Sequence, residues 1–410
     1  MRIDRLGQLG FLSAALFIAC GGGATTEPTP AETAPSITAP RTATPRPDPA
    51  AAPTPENRGA ADRTRQFIAA NFPMNDYSLA TVALDEIVPV LPRDAISAID
   101  APQLDSVGEA DEWLHPEEPV VLVQLNDEAR AYPLQILTWH EIVNDVVGDE
   151  PILVSYCPLC NTAIAFRRTL EGTVHDFGVS GALRHNDLIM YDRQTETLWQ
   201  QITGNAIVGL AAGSQLEFLP AQIVSWVDFR DTFPEGLVLN RDTGRALDYG
   251  RNPYPLYDAT GSSTLFSSDF DDARLDAKER VLTVDLGDDP IAFPFTALAK
   301  HVVLEGRSAD QPVVAFWQPG TVSALDEAFI IAGRNVGSAG AFVPELDGAP
   351  IDFEVRDGSI VDRGTGSTWN VLGYAIAGPL EGRSLRPVIS ANHFWFAWAI
   401  FEPDTRVIAE

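Results

Sequence analysis

Two cysteines separated by two residues, Cys157 and Cys160 in the run Val154-Ser-Tyr-Cys-Pro-Leu-Cys-Asn-Thr162, hold the densest chemistry in the chain. Sulfurs at this spacing can close a disulfide or chelate one soft metal ion. Pro158 fixes φ and removes an amide donor, which stiffens the turn that carries both thiols. Three readings stay open. A metal centre, copper before zinc, needs further ligands, and His140 and Met190 stand first; paired with thiolates, a thioether favours copper. Glu141, Asp187 and His185 would then support and orient the ligands. A redox dithiol would use Cys157 and Cys160 themselves as the catalytic pair in a thiol–disulfide oxidoreductase. A structural disulfide in an oxidising compartment would only staple a non-catalytic binding module.

Neighbouring motifs narrow the choice a little. Trp139-His-Glu-Ile-Val-Asn-Asp145 invites comparison with the zinc-binding HExxH pattern, but Asn144 stands where the second histidine is required. The run 134–145 is instead expected to be a helix whose polar end packs below the cysteine strand. Thioredoxin-type dithiols also use CPxC, yet Asn161-Thr-Ala-Ile-Ala-Phe166 reads as a strand and not as the long helix such a fold supplies. The chain has no P-loop, no dinucleotide fingerprint and no GxSxG elbow.

The elements that must position these residues are mostly strands. Apolar runs of strand length recur between turn signals at 120–125, 152–156, 162–166, 206–209, 281–286, 313–317 and 374–377, with short helical patterns near 63–71, 134–145 and 295–303. The fold class expected is mainly β (α+β), with short packing helices. The body also repeats. At a shift of 161, Val123, Leu125, Asp127, Pro133, Leu137, His140, Pro151 and Pro158 fall on Val284, Leu286, Asp288, Pro294, Leu298, His301, Pro312 and Pro319. Asp192-Arg193-x-Thr195 through Trp199 matches Asp362-Arg363-x-Thr365 through Trp369. Two similar halves are expected, 61–250 and 251–410. Cys157 and Cys160 fall on Gln318 and Thr321, so only the first half carries the thiols. His140 has a counterpart in His301, which points to a shared structural task; His185, Asp187 and Met190 have none.

The remaining features concern where the body works. Arg2 and Arg5 precede an apolar run, Leu9–Ala19, of signal-peptide length, and Phe17-Ile-Ala-Cys20 resembles a lipidation site. Residues 1–19 are therefore expected to be a signal peptide and Cys20 a lipidated N-terminus. Residues 20–56, rich in Pro, Thr and Ala, are expected to form a disordered tether to a bacterial membrane. The formal charge is −29, and only Lys278 and Lys300 are lysines. So acidic a chain repels phosphate backbones, which argues against nucleic acid; the acidity suits solubility or attraction for cations, and the partners expected are a metal ion or, for the redox reading, an envelope protein substrate.

Several blocks taken together carry a family resemblance. Ala129-Arg-Ala-Tyr-Pro133, His140-Glu-Ile-Val-Asn-Asp145, Tyr156-Cys-Pro-Leu-Cys160, Phe177-Gly-Val-Ser-Gly181 and Met190-Tyr-Asp-Arg193 resemble the family called domain of unknown function 3179. Asp248-Tyr-Gly-Arg251, Pro253-Tyr254 and Phe394-Trp-Phe-Ala-Trp398 extend the likeness, which runs from about 95 to 406. One position departs: His185-Asn186-Asp187 stands where the family pattern leads one to expect Asn-Ser-Asp. The resemblance implies a bacterial or archaeal envelope protein and supplies no activity.

Overall fold

The computed structural model describes residues 55–410 except 260, 265–269 and 288. The signal segment 1–19, Cys20 and nearly all of the tether lie outside the described residues. Helix α1 (Pro55–Asn71) starts earlier than the expected 63–71 and buries Thr64 and Ile68. The Thr64 hydroxyl donates to the carbonyl of Ile87, the first residue of strand β1 (Ile87–Pro89).

Strands β2 (Pro119–Leu125) and β3 (Glu128–Pro133) form a hairpin closed by Asn126 and Asp127 at φ 47° and 66°, the backbone of a two-residue type I′ turn. Residues 119–123 are all buried. A strand covered on both faces reads as a continuous apolar run instead of an alternation. Helix α2 (Leu134–His140) follows Pro133 and stops at Glu141, which adopts the left-handed conformation (φ 59°) and bonds its amide to Leu137 O at 2.8 Å. The helix expected to run to Asp145 therefore ends five residues early. Ile142, Val143, Val146 and Val147 are β-branched, and they enter strand β4 (Ile142–Val147) instead.

Strands β4, β5 (Glu150–Cys157) and β6 (Thr162–Arg167) form an antiparallel sheet. A second sheet runs β1, β7 (Phe177–Arg184), β8 (Asp187–Asp192), β9 (Leu198–Gln200), β10 (Ala206–Val208) in spatial order. Strand β11 (Ala221–Ser225) then pairs antiparallel with β2, and β12 (Leu237–Leu239) lies parallel to β3.

Beyond residue 280 the pairings run in like order. Strands β13 (Arg280–Val284) and β14 (Ile291–Pro294) make a hairpin, and helix α3 (Phe295–His301) ends on left-handed Val302. Strands β15 (Val303–Ser308), β16 (Gln311–Gln318) and β17 (Ser338–Phe342) form one sheet. Another contains β18 (Phe353–Arg356), β19 (Ser359–Asp362), β20 (Thr368–Trp369) and β21 (Ala375–Ala377). Strand β22 (Ser390–Phe394) pairs antiparallel with β13, helix α4 (Trp395–Ala399) follows, and β23 (Arg406–Val407) lies parallel to β14. The body is mainly β, with several sheets and a few short helices.

Asp192 and Asp362 each accept the amide and hydroxyl of the threonine three residues on and the indole N–H of Trp199 or Trp369. The Asp-Arg-x-Thr blocks are thus turns that anchor buried tryptophans. The two hairpins upstream of them differ in length. Phe177 pairs with Asp192, 15 positions on, whereas Phe353 pairs with Asp362, 9 positions on.

Asp145 receives the Arg130 guanidinium and the Tyr132 hydroxyl, each at 2.7 Å, on the buried face between β3 and β4. Asp145→Ala should lower stability by on the order of 3 kcal/mol, because the Arg130 charge loses its most buried partner. Urea denaturation checks this; a change below about 1 kcal/mol would mean that Glu128 alone satisfies Arg130.

Candidate metal centre

Cys157 closes β5 and Thr162 opens β6, so Pro158, Leu159, Cys160 and Asn161 form the loop of a β-hairpin. Cys160 N–H bonds to Cys157 O at 3.2 Å and Asn161 N–H to Pro158 O at 3.3 Å. Asn161 takes the left-handed conformation (φ 50°) that turns the chain back into β6. A strand and not a helix follows Cys160, unlike the arrangement in which the second half of a CxxC opens a helix. The loop directs both sulfurs to one point: Cys157 Sγ lies 3.8 Å and Cys160 Sγ 3.3 Å from Asn186 O.

That carbonyl is delivered by the longer of the two hairpins. Strands β7 and β8 turn through His185 and Asn186, both at positive φ (54° and 66°), another type I′ pair. The register shifts between Val179 and Leu183, and Gly181 sits there at φ 81° because a Cβ would collide with the Leu91 carbonyl. The hairpin therefore bends over the cysteine loop, and the residue after the turn, Asp187, arrives beside the sulfurs. The donor atoms of Cys157, Cys160 and Asp187 lie within 4.8 Å of one another, and all three residues are buried. Asp187 Oδ2 is held by Gln200 Nε2 at 2.6 Å and Ile202 N at 3.0 Å, while Oδ1 is buried with no nitrogen or oxygen partner.

Electrostatics at this point are one-sided. Burial raises the Asp187 carboxyl to about 6, against the bonds from Ile202 and Gln200. Burial, and then the Asp187 charge, lift Glu141 to about 8. Desolvation pushes both thiols up, and Asp187 adds to it in each case. Four acidic groups are thus buried, and the Asp187 charge opposes the ionisation of the other three. Glu141 stays outside the three-donor cluster, with its backbone carbonyl accepting the Tyr156 amide at 2.8 Å.

The family model for a protein of unknown function, DUF3179, matches residues 93–405. The chain belongs to the DUF3179 family. No curated protein and no solved structure matches it.

Of the residues singled out from sequence, this DUF3179 body brings together Cys157, Cys160 and Asp187, with Glu141 beside them. His140 is elsewhere. Its Nδ1 donates to Ser97 O at 2.7 Å and its Nε2 accepts from the Tyr249 hydroxyl at 2.6 Å, so neither nitrogen is free to ligate. The polar helix face expected from 140–145 dissolves for the same reason that the helix ends: Asn144 and Asp145 belong to β4. There Asn144 bonds to Asp100 and to both backbone groups of Phe177. His185 is a turn residue whose ring meets Glu86 at 3.6 Å and packs on Phe401. Met190 is fully buried in the same apolar cluster as the cysteines, opposite Trp199 in the sheet. Asp187, expected to support the ligands, lies with the two sulfurs in the three-residue group. Sequence reasoning missed the Asn186 carbonyl and Gln200, because a backbone oxygen and a long-range amide leave no local pattern.

Two outcomes follow. His140→Ala and His185→Gly should leave the reactivity of Cys157 and Cys160 toward a small alkylating reagent unchanged; a change in either would restore that histidine to the site. Second, raised carboxyl pKa values mean that the folded, metal-free chain holds protons which the unfolded chain has released. Stability from Glu141 is complete below its unfolded value of 4.5 and is lost as pH rises toward about 8. Glu141→Gln should flatten the decline in stability between pH 5 and 8 and raise stability at pH 8 by on the order of a few kcal/mol. An unaltered pH profile would mean that Glu141 is ionised in the fold.

Proposed function

We propose that the DUF3179 body binds one thiophilic metal ion through Cys157, Cys160 and Asp187. The observation that carries this is the buried acidic cluster: two thiols and two carboxyls share one low-dielectric region, burial raises all four pKa values, and Asp187 adds to the rise of the other three. A cation relieves that repulsion at once, because metal binding displaces the thiol protons and turns mutual repulsion into coordination. A cysteine pair on a stiff hairpin loop, with a left-handed residue after the second cysteine, suits chelation, since both sulfurs face the same side.

The carboxylate changes the metal preference. Copper was favoured on the strength of the Met190 thioether and His140, and His140 is engaged elsewhere. A two-sulfur, one-oxygen set suits zinc, which accepts both donor types and takes three protein ligands plus one exchangeable position at catalytic sites. Glu141, with a carboxyl that titrates at about 8, would be available to give or take a proton in chemistry at such a metal.

A second reading is supported by the closeness of Asp187 to the Cys160 thiol. As a proton acceptor, Asp187 would help the dithiol close to a disulfide, releasing two protons and passing two electrons to a disulfide of an envelope substrate. From sequence alone, the proposal extends to a mature chain lipidated on Cys20 and held on its tether outside a bacterial membrane.

Elemental analysis of the anaerobically purified chain, with thiols counted in parallel, tests the assignment. About one zinc per chain is expected, lost in Cys157→Ser and in Asp187→Ala. No metal, with two thiols that cycle reversibly with a disulfide, would transfer the case to redox chemistry.

A further inference from the structure

We propose that Tyr257 and Thr162, the latter held by His393, are positioning residues that set the direction of the Cys160 sulfur from outside the cysteine loop.

The peptide planes on either side of Cys160 fix where its side chain points. The first plane holds Leu159 C=O and Cys160 N–H. Its N–H end makes only the 3.2 Å turn bond to Cys157 O, while its carbonyl accepts the Tyr257 hydroxyl at 3.0 Å. The second plane holds Cys160 C=O and Asn161 N–H. Its N–H end makes a 3.3 Å bond to Pro158 O, and its carbonyl accepts Phe394 N–H at 2.8 Å and the Thr162 hydroxyl at 3.2 Å. Within the loop, each plane is thus tied by one long bond, and the shortest restraints come from residues past 250. A buried carbonyl has to find a donor, so these outside donors select the loop conformation that presents them.

Directionality is defined along the second path. With its proton on Nδ1, His393 donates to the Thr162 hydroxyl at 2.8 Å and leaves the hydroxyl proton for Cys160 O. The ring is buried and stacked on Trp398 at 5.0 Å, and burial keeps it neutral. Tyr257 is braced too: its ring packs in the apolar cluster that contains both cysteines, and the Lys278 ammonium sits 3.5 Å from the ring centroid. These contacts give the half without cysteines a task at the site, which is to hold the thiol loop of the other half in its chelating shape.

Tyr257→Phe keeps the ring and removes only the hydroxyl. Tyr374→Phe removes a hydroxyl bonded to Gln124 and serves as the control. Two measurements are made on the full chain: zinc affinity by competition with a chromogenic chelator, and the ratio of iodoacetamide alkylation rates at Cys160 and Cys157 without metal. Tyr257→Phe should weaken zinc binding about tenfold and shift the alkylation ratio, while Tyr374→Phe changes neither. The zinc arm rests on the metal assignment above, and the alkylation arm does not. If the unaltered chain binds no zinc, the metal assignment fails and the alkylation ratio alone decides. Thr162→Val and Thr162→Ser form a second pair, used also if Tyr257→Phe does not fold: Val should reproduce the shift in ratio and Ser, which retains the hydroxyl, should restore it. An unchanged ratio in both Tyr257→Phe and Thr162→Val overturns the proposal.

Discussion

Two thiols and one carboxyl group buried within 4.8 Å of one another, with the buried Glu141 carboxyl raised by the same Asp187 charge, are the constraint around which the rest of this molecule can be understood. Burial and the Asp187 charge hold protons on both thiols and on Glu141, at about 8, while burial lifts Asp187 itself to about 6. The carboxyl and thiol groups are retained against their cost in solvation, and a bound cation is the simplest agent that turns the cost into attraction.

The architecture supplies the cluster from three directions. The β5–β6 hairpin brings the sulfurs, the left-handed stop of α2 brings Glu141, and the long β7–β8 hairpin brings Asn186 O and Asp187. The corresponding hairpin of β18 and β19 is shorter and turns through Asp357 and Gly358, both at positive φ. The difference in hairpin length thus coincides with the difference in chemistry, while β22 and α4 return from the far end of the chain to cover the cysteine loop.

What was legible in the sequence is what local pattern encodes. The cysteine pair, the apolar strand leading to it, the Asp-Arg-x-Thr turns with their tryptophans and the mainly β class all show in short windows of residues. The missing repeat counterpart of Asp187 singled it out, although not as a donor. His140 reads in the sequence as a further ligand for the cysteine pair, whereas its partners in the fold, Ser97 O and Tyr249, lie 43 and 109 residues away. The end of α2 was obscured because the left-handed position is filled by glutamate in place of glycine or asparagine. In each miss, a tertiary contact outweighed a local preference.

Zinc-edge X-ray absorption on the metal-loaded chain tests the central claim most directly. The account predicts two sulfur neighbours at about 2.3 Å with oxygen neighbours at about 2.0–2.2 Å completing the shell, and loss of one sulfur in Cys160→Ser. A shell of oxygen and nitrogen only, unchanged by that substitution, would place the metal elsewhere and contradict the assignment of Cys157, Cys160 and Asp187.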